Sequence, residues 1–524
     1  MSTEQISNYW LDVAVREIIA KYPEGDIVVS SGISPSASYH IGHFREILTA
    51  DALTWGLQQA GRNAIHKHVV DNFDPLRKRY SFLPEGFEQY VGWPICLVPD
   101  PFGECHESYA DHFYKEFEKY AQQMGVYPEE VVRGYEDLYL AGKMTKAIEN
   151  CVDRVDLIKK TFAELSNRTV AEDWLPLQLL SKNNSFAELG FKSIDMESKT
   201  IVGVDEAGEE QVLHYDKGQV KLNWRLDWPA RWEVLGVQVE PFSAQEHGAA
   251  GSSYDTGVRF SQDIFDYPAP IPGVRYGNIH LVGENTKMSS SKGNLITPEQ
   301  ALDIMPAESL RYFVVRSRPD RTLVFDPGLG FYNQVDEFSK VEEAVEKGED
   351  HEFADAYKFA KAGKEEKAVA AIPFSHLVSV YQTAQGDEGQ ILTLLARTGY
   401  EAVVAEQKDV LLREIPYVKN WLAKYAPESV KFEVQKELPK VELDEGQSKF
   451  VSLLADDIEA AGELDGPAMH QAIYAAKEAA DIKPNEAFQT LYRLILGKDS
   501  GPKAGYFLSS LDRDWLIKRL RQEP

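Results

Sequence analysis

Apolar and β-branched residues gather at 26–31, Asp-Ile-Val-Val-Ser-Ser, a pattern that predicts a buried strand running into the small-residue loop Gly-Ile-Ser-Pro-Ser-Ala-Ser. After His40-Ile41-Gly42-His43, the apolar residues Phe44, Ile47, Leu48, Ala52 and Trp55 recur at helical spacing as far as Gly61, and 63–70 reads as a second strand. Strand, loop, helix and strand in that order make a βαβ unit. Its ligand site lies at the carboxyl ends of the strands, where the helix start offers free N–H groups to phosphate. Beyond Asp326-Pro327-Gly328 the periodicity becomes helical. The Ala-, Glu- and Lys-rich stretch 337–371 reads as a helical bridge. From Pro373 onward HLVSVYQTA, GQILTLLARTG, EAFQTLYRLILG and DRDWLIKRLRQ place apolar residues three or four apart, which predicts an all-helical, antiparallel domain. No repeat period emerges.

A chain of 524 residues exceeds a single core, so about three or four units are expected. With 24 Phe, 25 Tyr and 9 Trp there is ample material for packed cores, while the negative mean hydropathy argues against a membrane protein. The first residues are charged and amphipathic, and no apolar run approaches about 20 residues, so neither export nor membrane insertion is expected. Three cysteines without regular spacing fit a reducing compartment, and the cytoplasm is the expected location. The net charge of −27 opposes a nucleic-acid partner unless basic surface is concentrated locally on an acidic body.

Two motifs carry candidate chemistry. His40 and His43, three apart beside a helix start, can donate hydrogen bonds to phosphate oxygens, and Gly42 has no side chain to block a purine ring. For an isolated HxxH, a helix cap is the commoner role. The second motif is Lys287-Met288-Ser289-Ser290-Ser291-Lys292-Gly293-Asn294, ahead of Thr297-Pro298-Glu299-Gln300, which has the form of a helix N-cap. Two lysines on a loop of small residues suit a clamp on the β- and γ-phosphates of a nucleotide. Such a loop alone is usually solvated surface, but the two motifs in this order are improbable by chance, on the order of one in several thousand. Asp100, Cys105, His106 and His112 offer four donors of the types zinc accepts within thirteen residues. Composition alone favours a packed Cys–His pair over ligands.

His40-Ile41-Gly42-His43 followed by KMSSS resembles the class I aminoacyl-tRNA synthetases. The stretches SGISPSASYHIGH, VPDPFGECHESYADHF, LNWRLDWPARW, GSSYDTG, KMSSSKGN, RPDRTLVFDPGLGFYN, PFSHLV and GPKAGYF are similar to the lysyl branch, from residue 30 to about 507. The resemblance implies an α/β Rossmann-type catalytic domain with a connective insertion, followed by an all-α helix-bundle anticodon-binding domain. The expected segments are 1–92 and 216–285 for the two Rossmann halves, 93–215 for the insertion with its zinc site, 286–345 for the KMSKS loop and stem-contact region, and 346–524 for the anticodon-binding bundle. The implied activity is ATP-dependent ligation of L-lysine to tRNA(Lys) through a lysyl-adenylate, releasing AMP and diphosphate, with Mg2+ accompanying ATP, and the implied state is a monomer. Activation that requires bound tRNA is also implied.

By the same resemblance, His40, His43, Lys287 and Lys292 are catalytic, and Gly42, Met288, Ser289, Ser290 and Ser291 complete the ATP site. Gly32, Ser34, Trp224 and His247 fall in the lysine pocket. Trp224 can lie against the lysine stem, although an indole near Trp228 and Trp232 is as often core. Asp255 can accept from ribose hydroxyls. Asp71 and Asp74 are possible partners for the ε-ammonium, but aspartates at a strand end more commonly cap a turn. The resemblance also implies one structural Zn2+ on Asp100, Cys105, His106 and His112, with Glu104 an extra residue in that stretch. A second, cysteine-based site is not expected, because no cysteine follows Cys151, and the apolar residues of WLPLQLL and FAELGF are expected to fill its place. The usual second KMSKS lysine is Ser290 here, so Lys292 is expected to take part of the contact, and Ala37 stands where glycine is usual. Exposed aromatics and basic residues of the C-terminal bundle are expected to receive the anticodon loop, although any single aromatic there is more often core.

Overall fold

The computed structural model describes residues 9–523 apart from 104, 272, 273, 285, 287, 289–294 and 362. It divides into two compact units, one reaching Pro298 and including Phe313–Val324, the other Glu299–Tyr312 with the chain from Phe325 onward.

The first unit is built on a parallel sheet. Strand β1 (Ile27–Ile33) pairs with β2 (Ala64–Val70) from Ile27↔Ala64 to Ile33↔Val70, and β2 pairs in parallel with β3 (Glu130–Arg133). On the other side of β1, parallel bridges Val29↔Val239 and Val239↔Ile271 continue the sheet, and Phe242–Ser243 runs parallel to Arg275–Tyr276. Helix α1 (Trp10–Lys21) precedes β1, and α2 (Phe44–Gln59) connects β1 to β2, burying Ile47, Leu48, Ala52, Leu53 and Leu57. This is the expected βαβ unit. Strand β1 runs two residues beyond the expected end, through Gly32 and Ile33, because its ladder with β2 persists to Val70 and Asp71 N–H then bonds the Ile33 carbonyl at 2.8 Å.

The expected insertion, 93–215, is threaded through this unit: α3 (Tyr109–Gln123) leads into β3, a strand of the parallel sheet itself. After it, antiparallel Gly190–Asp195, Thr200–Val204 and Glu210–His214 form a separate small sheet. Leu179, Leu180, Ile201, Leu213, Val220 and Leu222 are buried in one core against which Trp174, Phe186 and Leu189 pack, so the apolar residues of WLPLQLL and FAELGF fill this region as expected.

The second unit is helical. Helices Gly330–Glu346, Ala354–Lys361, Phe374–Thr383 and Lys408–Lys424 precede a bundle of Glu445–Ala461, Gly466–Ala480, Pro484–Leu496, Ala504–Ser510 and Arg513–Leu520, whose core includes Phe450, Leu454, Leu491, Phe507 and Leu520. The expected bridge over 337–371 is helical only in part. Residues 363–373 leave the helix because the buried Glu342 carboxylate accepts Ala368 N–H at 3.1 Å, Val369 N–H at 3.3 Å and Tyr357 O–H at 2.9 Å. These side-chain bonds override the helical propensity of the Ala- and Lys-rich sequence. Among the described residues, no helix is long and apolar enough to cross a membrane.

Candidate active site

A cleft of about 670 Å³ opens where β1 ends, entirely within the first unit. Its walls include Gly32, Ser34, His40, Gly42, His43, Trp224, His247 and Met288, so most of the residues expected in the two substrate pockets meet around one space. Lys287, Ser289, Ser290, Ser291 and Lys292 lie outside the described residues. Of that motif Met288 is seen, buried on the cleft wall.

The two histidines form a reciprocal cap at the helix start. His40 Nδ1 accepts Gly42 N–H at 3.1 Å, His43 Nδ1 accepts His40 N–H at 3.1 Å, and the rings stack at 3.8 Å between centroids. The backbone of the helix start thus occupies Nδ1 of each ring. A methyl group on Gly42 would lie 2.8 Å from the His40 ring, so the glycine is needed first for the fold of the histidine over it.

The cleft lining also carries carboxyl groups. Glu46, at the start of α2, accepts Gly32 N–H at 2.7 Å and the Tyr276 hydroxyl. Burial pushes its carboxyl up to about 8 against those two hydrogen bonds. Trp224, Trp228 and Trp232 stand four apart on helix Trp224–Leu235 and form one stripe. Trp228 and Trp232 are buried and both donate indole N–H to Glu240, Trp228 at 3.0 Å, while Ser30 Oγ donates at 3.3 Å. Burial raises the Glu240 carboxyl in spite of these donors. Trp224 stays partly accessible at the cleft, stacked on Trp228 at 5.5 Å with Arg231 over its ring at 5.6 Å. Burial thus decreases along the stripe towards Trp224, which packs against the core and lines the cleft.

Asp71 and Asp74 take part in a network of ion pairs. Asp71 pairs with Arg231, which also reaches Asp227 at 3.2 Å, and Lys221 bridges Asp74 at 3.2 Å and Asp227 at 3.6 Å. Tyr139 donates to Asp227 and accepts Leu222 N–H at 3.1 Å. Burial drives the Asp71 carboxyl up to about 6 against the pull of Arg231, with Asp74 and Asp227 adding to the rise. Counting the cleft lining, Glu46, Asp71, Asp74, Glu240 and Glu246 face Arg77 and Arg231, so the described lining has an excess of acid. Asp255 is placed apart from this lining. It lies in the first turn of helix Ser253–Asp263, its carboxylate accepts Gly251 N–H at 2.9 Å, and Ser253 is the residue of GSSYDTG that lines the cleft.

Residues 8–364 match the family described as tRNA synthetases class I (K), and 412–523 match an anticodon binding domain. A lysine–tRNA ligase of Archaeoglobus fulgidus is 37% identical over 517 residues, covering 98% of this chain and 99% of its own, and one of Methanosarcina barkeri is 36% identical over 544, covering 98% and 97%. The chain belongs to the class I lysyl-tRNA synthetases. A solved glutamate tRNA ligase from Elizabethkingia meningosepticum aligns at a TM-score of 0.40 and 11% identity over 95% of this chain and 98% of that one, too loose a likeness to bear on the assignment.

In this synthetase the stretch Asp100–His112 gathers four donors within 4.8 Å of one another. Cys105 Sγ lies 3.0 Å from Asp100 Oδ2, 3.1 Å from His106 Nδ1 and 3.2 Å from His112 Nδ1, and the two imidazoles stand 3.5 and 3.3 Å from the Asp100 oxygens. Ligands at zinc bond lengths of about 2.0–2.3 Å in a tetrahedron stand roughly 3.3–3.6 Å apart, so the donor set and its spacing fit that metal. The Cys105 thiol donates to Asp100, which holds its pKa above the usual thiol value. Sequence reading missed Glu46, Glu240, Arg231 and Lys221. The available signal was the pair Arg45-Glu46 interrupting the apolar stripe of α2.

Proposed function

We propose that this synthetase condenses L-lysine with ATP to lysyl-adenylate in the cleft at the end of β1 and then passes lysine to the acceptor end of tRNA(Lys), releasing AMP and diphosphate. The acid excess of the cleft is the observation that carries the choice of amino acid. Lysine brings two ammonium groups that can draw the proton from a carboxyl of this lining and pair with it, whereas the γ-carboxylate of glutamate gains no such partner from Glu46 or Glu240. Glu46, anchored by Gly32 and Tyr276, is the acceptor best placed for an ammonium, with Trp224 beside the aliphatic stem and Ser34 and His247 completing the pocket.

His40 and His43 face the phosphates of ATP with Nε2, and Gly42 leaves room for the purine. Lys287 and Lys292, on the loop with Ser289, Ser290 and Ser291, neutralise the departing diphosphate together with the Mg2+ that accompanies ATP. Attack of the lysine carboxylate on the α-phosphorus forms the adenylate. The terminal ribose hydroxyl of tRNA then takes the acyl group and AMP leaves. Asp255 acts by shaping its loop, and Ser253 is the nearer partner for a ribose. Asp100, Cys105, His106 and His112 hold one zinc ion, whose chemistry is structural: it pins the segment entering α3, whose Tyr109 hydroxyl donates to the Ser36 carbonyl at 2.5 Å beside the cleft. The protein works as a cytoplasmic monomer.

The deciding experiment is ATP–diphosphate exchange and tRNA charging with a panel of amino acids. Lysine alone is expected to support both, and equal activity with glutamate would overturn the assignment. Lys287→Ala is expected to slow adenylate formation about 100- to 1,000-fold with tRNA affinity unchanged.

A further inference from the structure

The helix start that carries His40 and His43 is braced from the interior by a run of aromatic rings drawn from separate elements. Phe117, midway along α3, is buried and stacks on Phe44, the first residue of α2, with 4.5 Å between centroids and 16° between planes. Its ring also lies 5.4 Å from that of His68 on β2, nearly parallel at 7°, and 5.1 Å from that of Tyr39. Tyr39 in turn meets His43 edge to face, at 5.4 Å and 88°. These are separations and angles at which aromatic pairs attract beyond the area they bury.

The far end of the run is anchored in the parallel sheet. His68 Nδ1 and His66 Nε2 each lie 2.8 Å from Ser31 Oγ, which ties both rings of β2 to β1. Burial pulls the pKa of both imidazoles down to about 3, so at neutral pH His68 is an uncharged plate in the stack. Helix α3 is fixed to the same loop a second time, because Tyr109 donates to the carbonyl of Ser36, three residues before Tyr39.

Tyr39 is only 2% exposed, and among the described residues its buried hydroxyl makes no hydrogen bond. An unpaired buried hydroxyl opposes folding, so the contribution of this residue lies in its ring. His43 takes the His40 N–H on Nδ1 and the His40 ring on one face, at 3.8 Å. Both of those contacts come from His40, in the same turn, whereas the Tyr39 ring reaches His43 from the buried side and is itself backed by Phe117.

We propose that Tyr39, wedged by Phe117, is a positioning residue for adenylate formation: its ring sets the direction in which the His43 imidazole faces the cleft. The rate of the chemical step is thereby tied to α3, a helix that does not itself line the cleft. A displacement of about 1 Å at a reacting group costs on the order of 100-fold, so a ring two contacts away from the phosphates has leverage. The inference rests on the reading that His43 faces the phosphates of ATP.

The test follows single-turnover adenylate formation by the full chain with lysine, ATP and tRNA present. Tyr39→Leu stays apolar but removes the flat face between Phe117 and His43. It is expected to lower the maximal rate on the order of 10- to 100-fold, while the half-saturating concentrations of ATP and lysine stay within about threefold. Tyr39→Phe keeps the ring and should restore the rate. Phe117→Leu withdraws the wedge and should slow the step about tenfold. In a His43→Asn background Tyr39→Leu should add little, because both changes act on one group, whereas a packing role for Tyr39 would lower the rate by the same factor in both backgrounds.

Tyr39→Leu at the wild-type rate, losses that multiply fully with His43→Asn, or Tyr39→Phe as slow as Tyr39→Leu overturns the proposal. If Tyr39→Leu does not fold, as judged by circular dichroism, Phe117→Leu with and without His43→Asn decides by the same criterion. His43→Asn at the wild-type rate overturns the histidine reading of the site and this inference with it, whereas a large loss there beside an unaffected Tyr39→Leu overturns this inference alone.

Discussion

Glu46 allows the lysine pocket to be tested through its proton. Burial holds this carboxyl at about 8, so at pH 7 roughly nine in ten free enzyme molecules carry it protonated. An arriving ammonium needs the ionised form, and the proton must leave. The sign follows: affinity for lysine is full above about pH 8 and falls tenfold for each unit below it, about 1.4 kcal/mol at pH 7. Glu240 stays bonded to Trp228, Trp232 and Ser30. Glu46→Gln keeps the shape and an acceptor for Gly32 N–H but removes the charge. Replacing a charge-assisted hydrogen bond by a neutral one costs about 1–1.5 kcal/mol, a rise in the KM for lysine of about 5- to 13-fold at pH 8 with kcat less affected. The assay is tRNA charging at saturating ATP over pH 6–9. Wild-type KM should rise about fiftyfold from pH 8 to pH 6, and the variant should lose most of that slope. A variant whose KM stays within threefold of wild type, with an unchanged pH profile, would refute the role of Glu46.

Gly42→Ala sets a methyl group 2.8 Å from the His40 ring and should lower kcat for adenylate formation at least about 100-fold with little change in melting temperature, as read by single-turnover kinetics and calorimetry. Cys105→Ser should reduce bound zinc, measured by elemental analysis, from one per chain to well below one, and should impair charging of tRNA more than ATP binding. Lys221→Met leaves Asp74 and Asp227 short of their buried cation and should destabilise the first unit by about 3 kcal/mol or more in urea unfolding. Equal stability would show that the network is easily dispensed with.

The parts of the site legible in the sequence are those carried by consecutive residues. Gly32, Ser34, His40, Gly42 and His43 belong to one strand, loop and helix start, so a motif and a periodicity fix them together. Glu46 escaped because its partner Tyr276 is 230 residues away, and Arg231 because it meets Asp71 across 160. Charge pairing at that range leaves no local pattern. Residues 363–373 were misread for a related reason: composition favours helix, but one buried carboxylate, Glu342, draws the backbone N–H groups of Ala368 and Val369 out of it. Asp255 was read as a ligand from its loop, and in the structure its carboxylate accepts Gly251 N–H.

The indole stripe also makes the cleft optically self-reporting. Trp224 is a partly accessible indole at the cleft wall, in face-to-face contact with Trp228 and beneath the guanidinium of Arg231. If the lysine stem lies against this indole as proposed, amino-acid binding is expected to shift the ultraviolet emission of the unlabelled enzyme, so that binding can be followed before any bond is made.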